Sequence, residues 1–279
     1  MTVAVCTDLD RTLIYSANAL ALEDVPHPPR LLCVELYQAK PLSYVTEEAA
    51  EELALLARRS LLVPTTTRTP EQYARVRLPG PPPRYAICAN GGFLLVDGEE
   101  DPSWTARVRK RVADCAPVLD VHDRLRAMSG PFTKSVRVAA DLFAYTVVDR
   151  ASLPSGWLDD LTAWCAARSW TVSLQGRKVY ALPIPLTKSA AARELATREP
   201  FTHLLAAGDS LLDADLLTLA DAAIRPAHGE LHTTPTPLPP TLTVTPAPGI
   251  RAGAAITSWL LSRALDPTRI PTTGPWRHP

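Results

Sequence analysis

Apolar and polar positions alternate between two periods along this chain. Thr2 to Thr7 (TVAVCT) is a short apolar, β-branched run, the pattern of a strand buried on both faces. Leu61 to Thr66, Tyr85 to Ala89 and Leu204 to Ala207 repeat it. Helical stretches lie between these runs. Thr46 caps one that continues to Arg59, with Glu47 and Glu48 in its first turn. Pro70 opens a second, Lys188 begins a third after Thr187, Asp213 to Ala220 forms a fourth, and Ile250 to Leu265 is a last amphipathic helix. Leu31 to Tyr37 and Leu42 to Val45 predict a hairpin flap beside the first strand, and Asn90-Gly91-Gly92 predicts a hairpin turn.

The middle of the chain has a different texture. Ser103 to Leu125 predicts one helix, and Lys134 to Ala140 and Leu142 to Asp149 predict paired strands. Leu158 to Arg168 is helical again, and a second hairpin (Trp170 to Leu174, Lys178 to Leu182) turns at Gln175-Gly176. This is an α+β unit inside an alternating β/α chain. The expected organisation is an α/β core of residues 1–100 and 184–279, Rossmann-like with a parallel sheet, and an inserted domain of 101–183. Residues 225 to 249 are rich in Pro and Thr and predict loop with one strand, Leu242 to Thr245; the tail beyond Pro267 is expected to be poorly ordered.

Composition narrows the class. Lys plus Arg and Asp plus Glu number 29 each among 279 residues, which argues against a nucleic-acid partner met by a basic face. No apolar stretch approaches the ~20 residues of a membrane helix. No basic region followed by an apolar run marks a signal peptide. Cys6, Cys33, Cys88, Cys115 and Cys165 have no metal-ligand spacing and are mostly expected to be small buried hydrophobes, as suits a reduced, cytoplasmic compartment. Trp157, Trp164 and Trp170 are explained by packing within the inserted unit. His228 and His232, four apart but separated by Gly229 and flanked by prolines, are expected in a loop as solvated side chains.

Charged groups recur where strands end, the edge at which open α/β sheets bind ligands. Asp8 and Asp10 follow the first strand, Thr65 and Thr66 end another, Lys188 starts a helix, and Asp209 follows a later strand. Carboxylates from two strands with a main-chain carbonyl suit magnesium. One carboxylate can attack phosphorus, a second can exchange protons with the leaving oxygen and then with water, and a lysine and a threonine hydroxyl can hold the other phosphoryl oxygens.

In this order the segments resemble the haloacid dehalogenase superfamily. Asp8-Leu9-Asp10-Arg11-Thr12-Leu13 resembles its DxDxT signature, Thr66-Thr67-Arg68 its second motif, Lys188 in LTKSAAARELA its third, and Gly208-Asp209-Ser210-Leu211-Leu212-Asp213 its fourth. The insert resembles the larger α/β cap of sucrose-phosphate, mannosyl-phosphoglycerate and Cof-like phosphatases, and Asn90-Gly91 resembles the turn of that branch. The run DLDRTLIYS is similar to actinobacterial members encoded near tellurium-resistance genes.

The resemblance implies a magnesium-dependent phosphatase. Its substrate would be a small phosphorylated metabolite such as a phosphosugar, and the protein a monomer or small homo-oligomer. Asp8 would be nucleophile and metal ligand, and Asp10 the general acid/base with its carbonyl on the metal. Thr66 and Lys188 would bind the phosphoryl group, with Asp209 on the metal and Asp213 supporting it directly or through water. Thr12, Arg68, Asn90 and Gly91 would contact substrate, and Gln175 and Lys178 beside the cap turn would set specificity. Three residues depart from the pattern. Arg11 replaces a small residue, and would face solvent or reach a second anionic group on the substrate. Leu212 replaces a frequent asparagine. Thr67 replaces glycine and leaves open whether Thr65 or Thr66 faces the phosphate. A phosphomutase using the same Asp8, or a binding protein on the same scaffold, are the alternatives.

Overall fold

The computed structural model of the chain describes residues 2–23 and 25–277. The chain divides into two compact units, 1–101 with 188–279, and 102–187. The first unit is built on a five-stranded parallel sheet. Its strand order is Thr243–Val244, Ala222–Arg225, His203–Ala207, Val3–Thr7 and Leu61–Pro64. Val3–Thr7 and His203–Ala207 are buried along their whole length, which is why both read as apolar runs without alternation. Strand Tyr85–Cys88 continues the parallel order through a single bridge between Thr65 and Ile87, then forms a hairpin with Phe93–Val96.

Helix Glu47–Arg59 begins where sequence places it: Thr46 Oγ1 accepts the Ala49 N–H at 3.1 Å. Its apolar stripe of Ala49, Ala50, Leu53 and Leu56 is buried, and it packs against helix Ile250–Leu265. The flap hairpin, Leu31–Tyr37 with Lys40–Thr46, pairs with Tyr15–Ser16 in its own antiparallel sheet and adds no strand to the parallel one.

The second unit is a four-stranded antiparallel sheet, ordered Trp170–Gln175, Lys178–Pro183, Phe143–Val148 and Thr133–Ala139. Its helices are Pro102–Arg111, Val118–Ala127 and Trp157–Ala166. The helix expected over 103–125 is therefore two. The first ends at Arg111; Pro117 lacks an N–H and disfavours helical geometry at the residue before it, so the second starts only at Val118. The last hairpin turns on Gly176-Arg177, one residue later than expected, with Gln175 opposite Lys178 and Gly176 at φ 57. Trp157 and Trp170 are buried, whereas Trp164 is half-buried between Arg124 and Arg168, each set over its ring.

Three further segments differ from expectation. Ala222–Arg225 is a sheet strand; its four residues are too few to show a period. His232 lies on a short helical turn, Glu230–Thr233, with Gly229 at φ 87 just before it. The tail is docked where disorder was expected, apart from residues 278–279, which lie outside the described residues. Asp221 accepts from Gly274 N (2.9 Å), Trp276 Nε1 (2.8 Å) and Arg277 Nη2 (2.9 Å), and Trp276 packs on Phe201 with ring centroids 4.7 Å apart. Cys6, Cys88 and Cys165 are buried, but Cys33 on the flap is exposed. Among the described residues no helix is long and apolar enough to cross a membrane.

Candidate active site

The carboxyl end of Val3–Thr7 is shaped by a tight turn. The N–H groups of Thr12, Leu13 and Ile14 all point to Leu9 O, and Arg11 N donates to Ile14 O. Leu9, Leu13 and Ile14 are buried in the core and draw this loop inward, which leaves Asp8 and Asp10 at the rim. The Asp10 carboxylate is half-exposed; that of Asp8 is buried.

Lys188, at the first position of helix Lys188–Arg198, is wholly buried, and its ammonium joins two strands' worth of acids. Nζ donates to Asp8 Oδ1 at 2.8 Å and to Asp213 Oδ1 at 2.5 Å. Thr12 Oγ1 donates to the other Asp8 oxygen at 3.1 Å. Asp213 Oδ2 accepts from Asp209 N (3.2 Å), Ser210 N (2.9 Å) and Ser210 Oγ (2.7 Å), so both of its oxygens are engaged within the protein. Gly208 permits this: a Cβ there would stand 2.3 Å from Asp213 Cβ. Asp209 is the carboxylate with the least internal support, meeting Arg11 Nε at 3.3 Å. Arg11 thus points to an acidic partner of this site. Leu212 is buried.

Asp10 is held differently. Arg68 grips it with a two-pronged contact, Nε to Oδ2 at 2.6 Å and Nη2 to Oδ1 at 2.7 Å. Arg68 Nη1 lies 2.9 Å from Glu35 Oε1 on the flap, and Glu35 also takes Ser43 Oγ at 2.6 Å and Arg75 Nε at 3.2 Å. Burial opposes the Glu35 charge, but the bonds from Arg68 and Ser43 outweigh it and hold its pKa below the ordinary value. Glu35 did not stand out in sequence, where it reads as the polar position of an ordinary strand.

Of the two threonines left open by sequence, Thr65 turns its hydroxyl back to Val63 O at 3.0 Å. Thr66 Oγ1 accepts Arg68 N at 3.2 Å, a bond that leaves its proton for an acceptor ahead of it. Asn90, with Gly91 next to it, is tied to the same loop. Asn90 N donates to Thr66 O, Ala89 N donates to Arg68 O, and Asn90 takes the left-handed conformation (φ 56). Gln175 and Lys178 belong to the inserted unit, facing one another across the hairpin.

Behind the site, His228 braces the Asp10–Thr12 loop. Its Nδ1 accepts the Gly249 N–H at 3.1 Å, so the ring proton sits on Nε2 and is donated to Arg11 O at 2.9 Å. Tyr15 OH donates to the same carbonyl at 2.9 Å and packs edge-on to the imidazole. His228 is therefore no solvated loop histidine. Burial, with the Arg11 charge adding, lowers its pKa to about 4. A depressed histidine stabilises the fold above its unfolded pKa of 6.5 and loses that contribution as pH falls toward 4. His228→Gln should flatten the acid-side loss of stability between those values; thermal melts from pH 7 to pH 4 measure it, and an unchanged profile would contradict the tautomer described.

The electrostatics of the cluster favour a cation. Asp8, Asp209 and Asp213 are buried with ligand oxygens within 4.8 Å of one another. Burial, with Asp213 and Asp10 adding and Lys188 opposing, raises the Asp8 pKa to about 7. Burial together with Asp8 and Asp213 raises Asp209 well above the ordinary range, against Arg11 and Lys188. Burial acts against the Lys188 charge too, but Asp213 and Asp8 outweigh it and hold the ammonium charged. Negative charge thus exceeds positive in a dry pocket of oxygen donors, the donor set that fits magnesium.

No protein-family model matches the chain, and no curated protein matches it significantly by sequence. Its fold is similar to that of solved phosphatases, one of them named as a member of the haloacid dehalogenase (HAD) superfamily. Among solved structures it is similar to the sucrose-phosphatase of Synechocystis sp. PCC6803 in complex with sucrose and phosphate, at 17% identity over 92% of this chain and 97% of that one, TM-score 0.61. It is also similar to the C-terminal domain of trehalose-6-phosphate phosphatase from C. albicans (12%, 94% and 93%, TM-score 0.55). A third is a HAD subclass IIB sugar phosphatase (10%, 93% and 100%, TM-score 0.54).

Proposed function

We propose that this chain is a magnesium-dependent phosphatase acting on a small phosphosugar or similar metabolite through an aspartyl-phosphate on Asp8. The observation that carries this reading is the buried Lys188 ammonium between Asp8 and Asp213, which aims one Asp8 oxygen and balances part of its charge.

Asp8, the Asp10 carbonyl and Asp209 would hold the magnesium, with Asp213 acting by fixing the 209–210 backbone. Bound there, the ion would offset charge on the phosphoryl oxygens. The Asp8 oxygen attacks phosphorus while the P–O bond to the leaving group breaks. Lys188 and the Thr66 hydroxyl donate to the transferring group. Asp10 gives a proton to the leaving oxygen, then takes one from the water that hydrolyses the acyl phosphate. The Arg68 fork favours Asp10 as a carboxylate, suited to the second step. For the first step Asp10 must carry a proton, which the Arg68 contact disfavours. Turning away from Arg68 therefore belongs to the catalytic cycle.

A sugar as the leaving group is supported by the names of the similar structures, and the inserted unit's own sheet carries a polar and aromatic face. Ser173, Tyr180, Tyr145 and Arg137 form one cross-strand row, with Gln175 and Lys178 in the next row on that face. The Tyr145 and Tyr180 rings lie 5.5 Å apart, with Lys178 Nζ 5.6 and 5.8 Å from their centroids. Aromatic faces among amide, hydroxyl and cationic groups suit a polyol.

The test is release of inorganic phosphate from phosphorylated sugars, nucleotides and cofactors, with magnesium and with chelator. Magnesium-dependent release, strongest for phosphosugars, is expected. Isomerised product without free phosphate would replace hydrolysis by mutase chemistry, and magnesium binding with no turnover on any compound would leave a binding protein.

A further inference from the structure

Arg11 sits immediately after Asp10 with its backbone in the left-handed region, φ 64. Glycine occupies such a conformation freely, whereas a side chain there is strained. The strain is held in place from three directions: Arg11 N donates to Ile14 O, and Arg11 O accepts from both Tyr15 OH and His228 Nε2. The backbone is therefore fixed and the long side chain is the movable part.

That side chain lies against Asp209 in an uneven pair. The Asp209 carboxylate is 5% exposed and the Arg11 side chain 35%, with Nε 3.3 Å from Oδ2. Lys188 serves Asp8 and Asp213, so among the described residues Arg11 is the cation paired with Asp209. On the Asp209 oxygen it stands where a divalent ion on that carboxylate would have to compete.

We propose that Arg11 is a tethered substitute for the divalent cation. It neutralises Asp209 in the cation-free protein and swings toward solvent when magnesium takes that carboxylate. The side chain thereby sets how much magnesium the site needs, keeping the cation-free site folded and raising the concentration at which it fills. The inference rests on the assignment of Asp209 to a magnesium site, and it concerns binding rather than turnover.

Calorimetric titration of magnesium into the cation-free full chain tests it, at fixed ionic strength, for wild type, Arg11→Gln, Arg11→Lys and Asp209→Asn. Arg11→Gln keeps a long polar side chain without charge and should bind magnesium roughly fivefold more tightly, the scale of a partly exposed ion pair. Arg11→Lys should stay near wild type, and Asp209→Asn should bind far more weakly. Equal or weaker binding by Arg11→Gln would overturn the proposal, as would tightening that Arg11→Lys shares. If wild type and both Arg11 variants bind no magnesium, the cation site itself is wrong and the proposal falls with it. Phosphate release assayed in parallel separates the two readings: tighter magnesium binding in Arg11→Gln with no turnover by wild type keeps the Arg11 assignment and removes the phosphatase.

Discussion

Asp8→Asn should lower magnesium-dependent phosphate release by about four orders of magnitude or more, the scale of losing a nucleophile, while the protein stays folded. Asparagine has the shape of aspartate, and its carbonyl can still accept from Lys188 or Thr12, which lie 2.8 and 3.1 Å from the native oxygens. What it loses is the charge that, in the proposed mechanism, would attack phosphorus. The same charge is a strain on the cation-free fold. Burial lifts the Asp8 pKa to about 7 from 3.8, so its favourable contribution is complete below 3.8 and is lost as pH rises through 7. Without magnesium, the variant should therefore melt at a higher temperature than wild type at pH 8 and close to it at pH 4. Turnover retained in Asp8→Asn would remove the covalent mechanism. A variant melting below wild type at pH 8 would show that the Asp8 charge supports the fold.

Lys188→Met should cost about 3–5 kcal/mol of stability, the range for removing one partner of a buried ion pair. At this chain length that is a fall in melting temperature of about 10 °C. Lys188 is 0% exposed and bonded to two carboxylates, so an apolar replacement of similar length leaves Asp8 and Asp213 facing each other in a dry site. Turnover should disappear with it. Adding Asp8→Asn should restore part of the lost stability, since one unbalanced charge goes, and the two changes should not be additive. Thermal melts of the two single variants and the double variant measure this. A fall of less than ~1 kcal/mol would mean that water reaches the cluster and screens it.

Much of this architecture was legible because it is written locally. Strands buried on both faces show as apolar runs, Thr46 announces its helix, and the acids that gather near Lys188 sit at the ends of those runs. Features written at a distance were not legible. Glu35 has the sequence look of a solvent-facing strand residue, yet Ser43, Arg68 and Arg75 converge on it and so tie the flap to Asp10. The tail 270–277 has no periodicity, and its order comes from Asp221, some fifty residues earlier. His228 has its partners at Arg11 and Gly249, neither of which its own neighbourhood suggests. The restart of the helix at Val118 was written locally, in Pro117, but the apolar content of its flanks hid it.

The point where the chain leaves the first unit is tied to the helix on which it returns. Asp101 pairs with Arg198 near the end of the Lys188 helix, and Glu199 beside it takes Tyr85 OH at 2.8 Å. Exit and re-entry are thus moored to one rod, so that 86 residues can be strung between them without pulling Lys188 out of register with Asp8 and Asp213. Such a layout works as a socket. The inserted segment can be replaced, or lengthened at slowly rising entropic cost, while the acids and their lysine keep their spacing.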